Sequence, residues 1–288
     1  MLRDRIINWS ILIFLSLTWG TSFILMKKGL RSFDSLQIAS LRIFISYIFL
    51  LPVAIINIRK INRANLISLV IIGLVGNALP ALLYPLAQRE IESSVAGMLN
   101  ALTPLFTLLT GVLLYKRKAG WNQVIGILLG LAGAAGLLYR GSFSFDPLGL
   151  LIILATFFYG ISSNQVTLIK NMNGVVITAL AFFITGPFAG ISLLVSDFGP
   201  AMETENWLTN LGFIAILSVF GSGIAVGLFN ILIIRTSPVY AVSVTYLAPV
   251  VSLLWGFSDG ELITPFMIIS VICILAGVYL TIRRKTPV

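Results

Sequence analysis

Histidine is absent from the 288 residues, and cysteine occurs once, at Cys273. A lone cysteine closes no disulfide and, without histidine beside it, assembles no metal cluster, so it reads as a small apolar packing residue. No metal and no cofactor are expected. Charge is scarce too: Asp, Glu, Lys and Arg make up 10% of the chain, against about a quarter in soluble domains. The P-loop pattern GxxxxGK[ST] does not occur, which excludes direct drive by ATP. No paired carboxylates, metal set or nucleophile with its base can be picked out, so there is no catalytic residue to name.

What is present is apolar. Hydrophobic residues form 58% of the chain and the mean hydropathy is +1.03, more than one water-soluble core can hide. They fall into stretches of about 20 residues, the length that crosses about 30 Å of hydrocarbon at about 1.5 Å per residue. The spacing predicts an all-α membrane protein of ten transmembrane helices over 6–26, 36–56, 65–87, 93–115, 121–139, 147–169, 175–196, 208–233, 238–257 and 263–282. The first run is too long for a signal peptide, ends in Lys27-Lys28 and lacks a small-residue cleavage site, so it is read as a span.

The net charge of +9 is distributed by topology rather than for nucleic acid. With the N-terminus inside, the cytoplasmic segments carry Arg3, Arg5, Arg59, Lys60, Arg63, Lys116, Arg117, Lys118, Lys170, Arg235, Arg283, Arg284 and Lys285. The outer loops carry Lys27, Lys28, Arg31, Arg89 and Arg140 among the 19 basic residues. That excess of inner Lys and Arg predicts that both termini are cytoplasmic. The lipid bilayer is the expected partner, anionic headgroups are a secondary one, and no nucleic acid is expected.

The chain also repeats itself. AGMLNALTPLFTLLTG from Ala96 matches AVSVTYLAPVVSLLWG from Ala241, which lays Pro104 on Pro249 and Gly111 on Gly256. Leu131-Ala132-Gly133 aligns with Leu275-Ala276-Gly277, and Trp19-Gly20 with Tyr159-Gly160. Two five-helix repeats follow, 1–140 and 146–288. Because five is odd, the second must be inverted relative to the first, the arrangement of many secondary transporters.

These motifs resemble the EamA-type branch of the drug/metabolite transporter superfamily. The residues that carry the likeness are Trp19-Gly20-Thr21-Ser22-Phe23, Leu41-Arg42, the stretch from Ser93 to Pro104, Ser237-Pro238, Tyr246 to Val250, and Gly260-Glu261. The resemblance covers essentially the whole chain. It implies a multi-pass inner-membrane carrier, a monomer or weak homodimer, that exports or exchanges small organic metabolites, amino acids first, by alternating access through a central cavity. Lys116 stands where such sequences often carry an acid like Glu261. A non-transporting receptor or assembly protein is the alternative reading, and a membrane-embedded transferase a weaker one.

Polar groups within the hydrocarbon must face other helices or a wet cavity. Asn77, Asn100, Asn164 and Asn230 are the candidate substrate contacts, with Gln165 beside them; as interhelical bridges they would instead be structural. Trp19, Tyr84, Tyr159 and Tyr246 offer a stacking surface with a polar handle, or simply pack. Pro80, Pro104 and Pro249 each remove a helical hydrogen bond and are candidate kinks for gating. Gly126 with Gly130 is a small-xxx-small pair for close helix packing. Arg42, alone among the basic residues, lies well inside a span; it is read chiefly as structural, with a carboxylate contact as the other possibility. No aspartate or glutamate falls inside a span, which favours facilitated transport or exchange over proton coupling.

Overall fold

The computed structural model describes residues 2–117, 120–138 and 146–282. Lys118, Arg140, Arg283, Arg284 and Lys285, counted above for topology, lie outside the described residues. Among the described residues every regular element is helical. The long elements are α1 (Leu2–Gly29), α2 (Ser35–Asn57), α3 (Arg63–Ala87), α4 (Ser93–Tyr115), α5 (Trp121–Leu138), α6 (Gly149–Val166), α7 (Gly174–Val195), α8 (Trp207–Arg235), α9 (Pro238–Ser258) and α10 (Pro265–Ile282). Nine of these are long and apolar enough to cross a membrane, while the apolar stretch in α10, Pro265–Leu280, is shorter.

Local chemistry sets the starts of several helices. Asp34 caps α2 and Asn62 caps α3, each in a reciprocal box with the residue three positions on, Gln37 and Asn65. These caps satisfy first-turn backbone N–H groups that have no intrahelical acceptor. Interruptions are placed in matching fashion in the two halves. α3 widens into a π-helical stretch at Leu74–Ala78, and α8 does so at Leu217–Ile224. α4 breaks at Ala101-Leu102 and resumes as Thr103–Tyr115 with Pro104 in its first turn; α9 passes through a tight 3-10 stretch, Val242–Tyr246, and resumes as Ala248–Ser258 with Pro249 in its first turn. Proline is tolerated there because first-turn N–H groups have no intrahelical acceptor.

The packing also pairs the halves. α2 lies on α7, α5 on α10 and α4 on α9, while α1 against α9 has its counterpart in α6 against α4. The α5–α10 seam is lined by glycine. A Cβ on Gly277 would stand 2.5 Å from the Gly126 carbonyl oxygen, and one on Gly133 would stand 2.6 Å from that of Ser270. Two large apolar clusters result, one around Tyr84, Leu99, Leu102 and Ile152, the other around Leu15, Leu69, Ile177 and Phe182.

Candidate functional site

Between these clusters lies a cavity walled by side chains of α1, α2, α3, α4, α6, α7, α8 and α9. It encloses about 900 Å³ of atom-free space, its open mouth included. The interrupted helices supply much of its wall, since a break in the regular ladder turns backbone and small polar side chains toward the hollow.

Six of the eight residues singled out as substrate contacts meet here: Trp19, Asn77, Tyr84, Asn100, Tyr159 and Asn230. The Tyr84 hydroxyl donates to Asn100 Oδ1 at 2.7 Å, and its ring stacks on Tyr159 with centroids 6.1 Å apart. Across the cavity Trp19 meets Phe229 edge-on at 5.1 Å, and its Nε1 donates to the Gly221 carbonyl in the π stretch of α8. Asn77 Nδ2 donates to the Ile72 carbonyl five residues back, and Asn230 Nδ2 donates to Thr178 Oγ1.

The other two lie elsewhere. Asn164 is fully buried between α4 and α6, where its Nδ2 donates to the Thr107 and Gly160 carbonyls and to Thr110 Oγ1. Tyr246 packs on the first apolar cluster, outside the cavity lining. Gln165 ties Ser68 of α3 and Tyr115 of α4 to α6. Pro80, Pro104 and Pro249 are all buried, the last two at the helix restarts already described.

Arg42, read from the sequence chiefly as structural, reaches the cavity with its side chain. Ser22, Ser162, Ser163, Thr103 and Ser222 also line it. Hydroxyls inside apolar spans were the available signal, but serine and threonine commonly bond their own helix, as Ser163 and Thr103 do here, so the pattern is unspecific.

One end of the bundle is closed by charge. Lys27, at the end of α1, reaches Glu92 at 2.8 Å, Asp259 at 3.2 Å and Glu261 at 2.7 Å, and Lys28 pairs with Asp259. Glu261 is turned into place by Gly260, whose φ of 81° is the left-handed conformation that glycine adopts without strain. Its carboxylate then accepts from Ser93 N and Oγ and from Ser94 N, so an acid of the second half caps the first turn of α4. Burial alone would raise the Glu261 pKa, but the Lys27 ammonium and the Ser93 and Ser94 donors outweigh it and hold the carboxyl at about 2. Asp259 is likewise lowered, against burial, by Lys28 and Lys27. At the position matching Glu261, Lys116 stands in a left-handed turn and has no ion pair among the described residues.

An all-helical bundle of apolar spans around a polar hollow defines a polytopic membrane protein with a compartment for a small molecule. Residues 7–139 and 148–283 each match the EamA-like transporter family, and the chain belongs to that family. It is 29% identical over 260 residues, 85% of this chain and 80% of the other, to an uncharacterized inner membrane transporter of Escherichia coli K12, YedA. It is 23% identical over 280 residues, covering 96% and 99%, to an uncharacterized transporter of Archaeoglobus fulgidus. A solved crystal structure with 19% identity superposes at a TM-score of 0.66 over 95% of both chains and shares the fold. The protein is thus a multi-pass inner-membrane transporter of small molecules, not an enzyme.

Proposed function

We propose that the protein is a facilitative carrier that exports or exchanges small organic metabolites, amino acids foremost, by alternating access. The observation that carries this reading is the cavity between the two halves, together with the ion-paired cluster around Lys27 at one end of it. α10 serves as the tenth span, residues 1–140 and 146–288 are inverted repeats, and both termini are cytoplasmic, which puts the Lys27 cluster on the outer face. The structure then corresponds to an outward-closed state. The pairing of α2 with α7, α5 with α10 and α4 with α9 is what a twofold axis between inverted halves produces, and it supports this reading.

Substrate contacts are assigned to Trp19, Asn77, Tyr84, Asn100, Tyr159 and Asn230, and gating to the restarts at Pro104 and Pro249. The carrier works as a monomer or weak homodimer. The test is counterflow of radiolabelled amino acids in proteoliposomes. Saturable uptake stimulated by internal counter-substrate is expected; no flux with any member of a broad metabolite panel overturns the proposal.

A further inference from the structure

Arg42 presents a charge without a counter-charge. It is 8% exposed and lies in α2, among apolar spans. Arginine stays protonated at any physiological pH, so the guanidinium is a buried cation. Its Nε donates to Ser222 Oγ at 2.7 Å, but its Nη1 is buried without a hydrogen-bond partner. The chain's acids give it no help: the ten are Asp4, Asp34, Glu90, Glu92, Asp146, Asp197, Glu203, Glu205, Asp259 and Glu261, and Arg42 pairs with none.

The backbone at this point is fixed, because the Ser46 hydroxyl bridges the carbonyls of Arg42 and Ser218 and so ties α2 to α8. The head group faces the cavity, with Tyr84 within electrostatic reach and the Tyr159 hydroxyl close enough to accept from the guanidinium, which leaves Nη1 as the unpaired edge. Leaving a guanidinium donor unpaired in a low-dielectric site is costly, and an ionised acceptor is the partner that offsets it best. The same positive charge, in a cavity with no carboxylate in its wall, disfavours a purely cationic ligand. The stacked Tyr84 and Tyr159 rings and the Trp19–Phe229 pair provide flat apolar surface for the rest of the molecule.

We infer that the cavity selects ligands bearing a carboxylate, anionic or zwitterionic, whose oxygens accept from the free edge of Arg42 while a flat apolar portion lies against the aromatic pairs. This rests on the carrier reading above and adds its substrate class. A guanidinium held only for packing, its free edge met by water, would show no such preference.

The test compares isosteric pairs that differ only in charge, phenylacetate against phenylacetamide and indole-3-acetate against indole-3-acetamide, with L-phenylalanine as the zwitterion. Binding to the purified full chain is read by ligand-induced thermal shift and by competition. Wild type is expected to prefer each carboxylate over its amide by about tenfold to a hundredfold, the range of a charge-assisted hydrogen bond. Arg42→Gln should bring the two within about threefold of each other, and Arg42→Lys should keep the preference at lower affinity. If Arg42→Gln does not fold, the wild-type ratio and Arg42→Lys still decide. Equal binding of acid and amide by wild type, a preference that survives Arg42→Gln, or no binding of any carboxylate overturns the inference. The carrier reading is judged separately, by counterflow of uncharged metabolites: flux there with no carboxylate preference sinks only the substrate class.

Discussion

At the scale of single residues, two asparagines with the same chemistry part company. Asn100 accepts from the Tyr84 hydroxyl at the cavity wall, whereas Asn164 spends its Nδ2 on three acceptors between α4 and α6. Asn100→Ala leaves the buried Tyr84 hydroxyl without that acceptor, a loss of about 1–3 kcal/mol, and removes a group that faces the hollow. Asn164→Ala gives up comparable stability but touches nothing that lines it. The expected outcome is therefore a lowered melting temperature for both, with ligand-induced shifts weakened only in Asn100→Ala; equal weakening in both would remove Asn100 from the proposed site. The sequence could not separate them, because hydrophobic context places each in a span but says nothing of which neighbour its side chain meets. For Arg42 the difficulty was of another kind: a single basic residue in an apolar span is equally consistent with a buried structural pairing and with a place in the cavity wall, where it lies beside Ile43.

At the scale of elements, the Lys27–Glu261 cluster ties α1 and the first turn of α4 to the turn after α9. Because the Glu261 carboxyl is held near 2 against an ordinary value of 4.5, its stabilisation is complete above about pH 4.5 and fades as pH falls toward 2. Between pH 5 and 9 this group leaves thermal stability flat, as scans of wild type across that range check. Glu261→Gln should lower the melting temperature at pH 7 by about 2–4 °C, since it removes the anion of a part-buried cluster whose Lys27 keeps contact with solvent, and should flatten the fall below pH 4.5. A variant that melts like wild type at pH 7 would mean the cluster does not hold this end shut. The spans were legible from hydropathy, and the Pro104–Pro249 match marked the interruptions, although each proline starts a helix there and removes no intrahelical hydrogen bond. The π stretches were not, because no residue pattern encodes an extra residue per turn; the glycines at Gly73, Gly76, Gly221 and Gly223 marked only the region.

The glycine seam belongs to the same scale. Gly277→Ala drives a methyl group into the Gly126 carbonyl and the backbone of Gly130. α5 and α10 must separate, at a cost of about 1–3 kcal/mol, with little effect on binding, because neither helix lines the cavity. Loss of ligand-induced shifts at unchanged stability would contradict that assignment.

At the scale of the whole molecule, the orientation of the second half relative to the first decides how a carrier could open. The repeat was readable from a 16-residue match and from an odd number of spans, while the partner of each helix was not, since sequence order says nothing about which faces meet across the halves. Three of the contacting pairs lie five helices apart: α2 meets α7, α4 meets α9 and α5 meets α10. Under the proposed inverted repeat, with its twofold axis in the membrane plane, connections five helices apart emerge on opposite faces. The α1–α2 connection, 30–34, and the α6–α7 connection, 167–173, are such a pair, and Arg31 and Lys170 sit in them. In a Cys273→Ala background, single cysteines at these two positions are expected to divide: Arg31→Cys reacts with an impermeant maleimide applied to spheroplasts, and Lys170→Cys reacts only after the membrane is opened. Labelling of both from the same side would make the halves parallel, and with that the paired gates at Pro104 and Pro249 would have no physical basis.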